Sequence, residues 1–305
     1  AYTTSPVHNL DTWLDLAKKI EDSGADSLAI KDMAGLLRPF DAYDLVKSLK
    51  ETLSIPIHMQ THATTGMSPA TNMKAIEAGI DNIDTSISSL SMTYGHTATE
   101  TMLAIFEGKD RYLNLDLDAL EEVSTFFKDI REKYSEFEGN LKGVDSTMLV
   151  KQVPGGMLSN LESQLRANKQ EDKIEMVIDE IPKVRKDFGY PPLVTPASQI
   201  VGAQALINII DGQSYKNLSN ESINLIKGKY GKLPGEVKIE LKKRVETIDE
   251  IDESVNEEEL EIMKKELSEL CLQNSLPDLS NNEEMVLSYI LFPNIALKFF
   301  KSLNI

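Results

Sequence analysis

Apolar positions recur at helical spacing near the start of the chain. Leu10, Trp13, Leu14, Ala17 and Ile20 share one face of a predicted helix over 10–25. The next segment, "DSLAIKDMAG", is a short apolar run ending in a glycine-bearing loop, the pattern of a strand. That order returns twice. "PFDAYDLVKSLKETL" predicts a helix, "IPIHMQTHATTG" a strand, "SPATNMKAIEAG" a helix and "IDNIDTSISSL" a third strand. The strands centre near residues 29, 58 and 83, a period of roughly 25–30 residues that matches one βα unit. Glycines in "SGAD" and "EAGID" stand where helices end. Strands and helices alternating through short loops predict a parallel sheet.

Polar residues gather at the C-terminal ends of these strands: Lys31 and Asp32, then Gln60 and His62, then Asp84 and Ser86. In (β/α)8 barrels that edge carries the chemistry. A doubly wound sheet shares the pattern, but no GxGxxG fingerprint is present, so the expected fold is part of a TIM (β/α)8 barrel. The opening "AYTTSPVHNLDTW" resembles the end of a strand running into a helix, so the chain is expected to begin in mid-fold. Past about residue 110 the strand period stops. Helices are predicted over 117–137, 155–170, 174–189, 197–212, 219–230, 234–246, 256–274 and 282–303. The expected division is a barrel segment over 1–110 and an all-helical domain over 111–305.

Composition narrows the function classes. With 41% hydrophobic and 27% charged residues the chain reads as an ordinary globular protein. A formal charge of −17 repels phosphate backbones and argues against nucleic-acid binding. The single cysteine, Cys271, excludes an internal disulfide framework and fits a reducing cytoplasm. "MVLSYILFPNIALKFF" (285–300) is too short to span a bilayer and contains Pro293, so it reads as a buried helix pair or a partner-binding face. The acidic stretch 245–270 reads as a solvated linker and helix face.

The chain holds four histidines, two of them in "IPIHMQTHATTG". Strand residues alternate between faces, so His58, Gln60 and His62 project to one side. Imidazoles at a strand end suit a metal, although an amide takes the middle place. Neighbouring strand ends bring Lys31 beside His62. A lysine ligates only when deprotonated, or when CO2 makes its amine an anionic carbamate; otherwise it pairs with an acid such as Asp32. His62 read alone fits a structural or a ligand role, and His58, deeper in the strand, a structural one. In "VTPASQIVGAQA", Thr195 or Ser198 is expected to cap a helix beginning near Pro196. "QVPGGML" resembles a strand-to-helix turn, and its glycines permit close approach of a ligand or backbone. "TYGHTATE" puts His96 ahead of a helix, in a cap, interface or catalytic role.

Taken together, "AIKDMAGLL", "IHMQTHATTG", "DTSISSLSMTYGHTATET", "VPGGMLSNLESQL" and "PPLVTPASQIVGAQA" resemble the carboxyltransferase domains of biotin-dependent enzymes. That family includes the oxaloacetate decarboxylase α subunit, the pyruvate carboxylase B subunit and the transcarboxylase central subunit. "TYGHTATE", "FEGNLKG" and "LFPNIALKFF" are most similar to the oxaloacetate decarboxylase α subunit. The resemblance runs along essentially the whole chain.

It implies a barrel followed by a helical funnel-like domain in a homodimer, with a divalent metal (Zn, Mn, Mg or Co) at the barrel mouth. Lys31 takes the place of the family's metal-binding lysine, and His62 that of the second histidine ligand. Gln60 stands where the first is usual; a neutral carbonyl oxygen there shifts preference toward Mg or Mn. The threonine of "VTP", here Thr195, is implied to shuttle a proton between biotin and the substrate enolate, with Ser198 orienting biotin. The implied substrates are oxaloacetate and pyruvate. Biotin must arrive on another domain or subunit, because no biotinyl-lysine motif is present. Membrane decarboxylase subunits are further expected partners of an enzyme peripheral to a membrane. The family's aspartate ligand and substrate-binding arginine belong to early strands without a match here, so the chain is expected to be a fragment or half of a split subunit. The competing reading is a non-catalytic module that docks a biotin carrier.

Overall fold

The computed structural model describes residues 1–303 apart from 112, 139–142, 154, 168–169 and 249–256. The chain forms two compact units, Ala1–Thr247 and Ile248–Ile305.

The first unit opens with three βα repeats. Helix α1 (Leu10–Asp22) is capped by Asn9, whose side chain accepts from the Thr12 amide, and it buries Ala17. Strand β1 (Leu28–Asp32) leads into α2 (Pro39–Thr52), β2 (Ile57–Thr61) into α3 (Ser68–Glu77), and β3 (Asn82–Ile83) into α4 (Thr99–Phe106). The sheet is parallel in the order β1-β2-β3, with Lys31 opposite Gln60 and Asp32 opposite Thr61. Strand alternation sorts the side chains. Ile30, Ile57 and Met59 join a core with Ala42, Val46 and Leu49 of α2, while Lys31 and Gln60 turn to the other face.

The third predicted strand shrinks to two residues for a visible reason. Beyond Ile83 the chain pairs with the approach to α4: the Ser86 amide donates to Thr97 O, and the Thr99 amide to Ser86 O. Expected pairing of Lys31 with Asp32 is not found, because alternation places them on opposite faces. Asp32 is fully buried, and its carboxylate accepts from the amides of Leu36 and Leu37 at 2.9 Å and from the Thr61 hydroxyl at 3.0 Å. His58 is structural as expected, its Nε2 lying 2.6 Å from Asp84 Oδ1.

Helices alone follow: α5 (Leu117–Lys133), α6 (Thr147–Lys151), α7 (Gly155–Ala167), α8 (Ile174–Asp187), α9 (Ala197–Asp211), α10 (Asn220–Ile226) and α11 (Ile239–Glu246). "QVPGGML" joins two helices rather than a strand to a helix. Gln152, in the left-handed region at φ 57°, ends the short α6, while Pro154 lies outside the described residues. Most of "FEGNLKG" lies outside them too. A second core unites Met157, Leu161 and Leu165 of α7 with Val177, Ile181 and Val184 of α8 and Val201 and Ala205 of α9. Gly202 permits that packing, since a Cβ there would lie 2.8 Å from the Met157 methyl.

The second unit contains α12 (Glu257–Gln273), α13 (Glu283–Leu291) and α14 (Pro293–Ser302). The apolar run over 285–300 is a helix pair broken at Pro293, and Val286, Ala296 and Phe300 pack with Leu267 and Cys271. No helix among the described residues is long and apolar enough to cross a membrane.

Candidate active site

The loops that leave β1 and β2 interlock. Gly35 has φ +66°, and a Cβ on it would stand 2.6 Å from the His62 carbonyl oxygen, so only glycine lets the two loops meet. The His62 amide donates to Asp32 O at 3.0 Å, and the Thr65 hydroxyl to Gly35 O at 2.6 Å. These bonds fix His62 just past the strand end. Its Nδ1 lies 2.5 Å from the Tyr94 carbonyl oxygen. A carbonyl only accepts, so Nδ1 carries the proton and Nε2 keeps its lone pair in the neutral ring. Burial, then the neighbouring His96 imidazole, lowers the His62 pKa below the ordinary value against the pull of that carbonyl, with Lys31 adding to the lowering.

Lys31, Gln60 and His62 open into one cavity of about 460 Å³ inside the first unit. Its opposite wall comes from the helices: Met157, Asn160 and Leu161 of α7, then Thr195, Ser198, Gln199 and Gly202 at the start of α9. Lys31, Gln60, His62, Thr195 and Ser198, the five residues that the family resemblance assigned to the site, thus line a single cavity, and His58 and His96 are not among its lining residues.

Thr195 and Ser198 do not cap α9. Pro196 occupies the N-cap position without a side-chain bond, and the first amides are served by backbone: Ser198 N donates to Val194 O and Gln199 N to Pro196 O. The Thr195 hydroxyl is therefore not spent on the helix. His96 does not cap either, since α4 begins after Ala98 with no side-chain cap.

The donor set has a definite chemistry. His62 offers an unspent Nε2 with its Nδ1–H anchored on a carbonyl, the arrangement that orients metal-ligating histidines. Gln60 offers a neutral oxygen. Lys31 is exposed on the strand face and, as an ammonium, would repel a cation. The three fit a divalent ion when Lys31 carries a carbamate, which supplies the negative charge; Asp32 cannot, being turned away and committed to Leu36, Leu37 and Thr61. No group of three or more His, Cys, Asp or Glu side chains is suited to a metal among the described residues.

Comparison with known proteins places the chain in a family. A family model described as a conserved carboxylase domain matches residues 148–304, and one described as HMGL-like matches 4–127. The chain belongs to the carboxyltransferase domain family of biotin-dependent enzymes. Among its relatives, the pyruvate carboxylase B subunit of Methanocaldococcus jannaschii is 45% identical over 98% of this chain and 53% of its own length. The methylmalonyl-CoA carboxyltransferase 5S subunit of Propionibacterium freudenreichii subsp. shermanii is 42% identical over 98% of this chain and 59% of its own. This chain therefore spans rather more than half the length of these curated relatives.

Among solved structures, the carboxyl transferase domain of Rhizobium etli pyruvate carboxylase with pyruvate is 28% identical. It superposes with a TM-score of 0.81 over 98% of this chain and 52% of that one. The carboxyltransferase fold is accordingly α/β of the TIM-barrel type, here a parallel three-stranded sheet followed by helices. Residue patterns gave no separate sign of Tyr94, whose carbonyl sets the His62 tautomer, or of Asn160 and Gln199 in the cavity wall. Tyr94 lies within "TYGHTATE", which is the one hint the sequence offers.

Proposed function

We propose that the protein to which this chain belongs is a biotin-dependent carboxyltransferase that moves a carboxyl group between oxaloacetate/pyruvate and biotin, in the manner of the oxaloacetate decarboxylase α subunit. One observation carries the reading. A single cavity has metal-type donors on the strand side, at Lys31, Gln60 and His62, and hydroxyls on the helix side, at Thr195 and Ser198. Its volume of about 460 Å³ suits a small keto acid with a ureido ring beside it. The barrel part over 1–110 supplies the first wall and the helical part from 111 the second.

Carbamylated Lys31, Gln60 and His62 would hold a divalent metal, which when bound polarises a ketone oxygen and stabilises developing enolate charge. Biotin, carried on another domain or subunit, is the carboxyl acceptor and donor. Thr195 Oγ1 both donates and accepts, so it relays a proton between the biotin ring nitrogen and the enolate carbon. Ser198, buried beside it, orients the ring. Leu161, Leu193 and Met157 supply the apolar part of the wall and limit water there. Run in reverse, the same placement carboxylates pyruvate, as in a pyruvate carboxylase B subunit; a transcarboxylase uses it in both directions.

Gln60, a neutral donor where the family carries histidine, favours a second reading in which the chain docks a biotin carrier without turnover. Oxaloacetate decarboxylation by the intact protein, with and without biotin, separates the two. Biotin-dependent release of pyruvate is expected. Carrier binding with no turnover at any biotin concentration supports docking instead.

A further inference from the structure

The two imidazoles beside the strand mouth are laced together. His62 sends its Nδ1–H to the carbonyl of Tyr94, on the loop that carries His96. His96 in turn places its Nδ1 3.3 Å from the carbonyl oxygen of Thr61, the residue before His62. Because both acceptors are carbonyls, both rings carry the proton on Nδ1 when neutral. Both Nε2 atoms are thereby left as lone-pair donors, with no hydrogen bond to either among the described residues.

The ring centroids are 4.8 Å apart with planes at 63°. Two imidazoles on one ion need similar spacing. With a metal–nitrogen bond of about 2.1 Å and a further ~1.1 Å to the centroid, angles of 90–110° at the metal put the centroids about 4.5–5.3 Å apart. The loop that brings His96 there is tightly constrained. Met92 and Thr93 sit in the left-handed region at φ 63° and 50°, and the turn is closed by Gly95 N to Met92 O and Met92 N to His96 O, both 2.7 Å. Those left-handed residues and the two backbone bonds hold His96 in place beside His62.

We infer that His96 is the second imidazole ligand of the divalent metal at this mouth, doing from the loop after β3 what Gln60 cannot do from β2. The inference rests on the metal-site reading above and deepens it. Two imidazoles with the Lys31 carbamate form a nitrogen-rich set, which selects Zn2+ or Co2+ over Mg2+, contrary to the preference Gln60 alone would give.

The test uses the intact protein, stripped and reloaded with Co2+ or Zn2+. Proton NMR of the Co2+ form in H2O should show two hyperfine-shifted resonances that vanish in D2O, one for each Nδ1–H of a ligating histidine. His96→Gln should remove one and weaken Zn2+ binding by more than about 100-fold, beyond what losing an outer-shell partner costs. Gln60→Ala should weaken it by less than about 10-fold on the same scale. One exchangeable resonance in the wild type, lost in His62→Gln, or unchanged Zn2+ affinity in His96→Gln, overturns the assignment of His96 and leaves the metal site standing. If the wild type binds neither ion, the metal-site reading falls and this inference with it. The wild-type spectrum decides even if a variant fails to fold.

Discussion

The two faces of the small parallel sheet differ in kind. On the helix-facing side, Ile30, Asp32, Ile57, Met59 and Thr61 are all buried, with Met59 at 0% exposure. On the opposite side, Ala29 and Lys31 are exposed and His58 and Gln60 half-buried. One strand thus carries two messages at alternate positions. The buried set fixes where the strand lies; the open set includes Lys31 and Gln60, which line the cavity. Asp32 shows how closely the two are coupled: it faces the core, yet by holding the Leu36 and Leu37 amides it shapes the loop whose Gly35 meets His62.

That contrast can be broken by substitution. Met59→Ala should cost about 2–5 kcal/mol in denaturant unfolding, the price of a large core truncation. A loss under 1 kcal/mol would mean that the helix-facing side is not a packed core. Asp32→Asn puts an amide where three donors converge, and should cost about 1–3 kcal/mol while loosening the loop around Gly35. Burial raises the Asp32 pKa, against the pull of those three hydrogen bonds and of the Gly35 amide.

His8 sharpens the comparison from outside the sheet. It is stacked on Trp13 with ring centroids 5.1 Å apart, and burial, then the Arg185 charge, lowers its pKa to about 4. The unfolded chain protonates near 6.5, so it takes up the proton first as pH falls. The stability held by neutral His8 is therefore complete above 6.5 and lost as pH drops from there toward 4. Trp13 is the chain's one tryptophan, so its fluorescence in the folded protein should titrate near pH 4; a midpoint at 6.5 would mean His8 is solvated. The smallest effect is expected on the open face. Gln60→Ala should change stability by no more than about 0.5 kcal/mol, and a larger loss would show that this face is structural too.

The sequence was most legible where periodicity governs. The first three helices and the first two strands fall within a few residues of their predicted positions because burial on one side repeats at 3.6 or 2.0 residues. Family resemblance, rather than spacing, singled out Thr195 and Ser198; the residue pattern favoured a helix cap, which backbone carbonyls made unnecessary. The arrangement around His62 was not readable. It depends on left-handed φ values at Met92 and Thr93 and on a carbonyl, that of Tyr94, which every residue possesses. The shortened third strand was hidden similarly, since Ser86 found its partners at 97 and 99 rather than on β2.

The central claim is that this cavity transfers a carboxyl group, with Thr195 moving the proton. The most direct measurement is biotin-dependent oxaloacetate decarboxylation by the intact protein carrying Thr195→Ala, with the unfolding midpoint measured beside it. Because the hydroxyl makes no capping bond, the midpoint should stay put while the rate falls by about 100- to 10,000-fold, the range of a lost acid–base group. An unchanged rate at an unchanged midpoint would contradict the account.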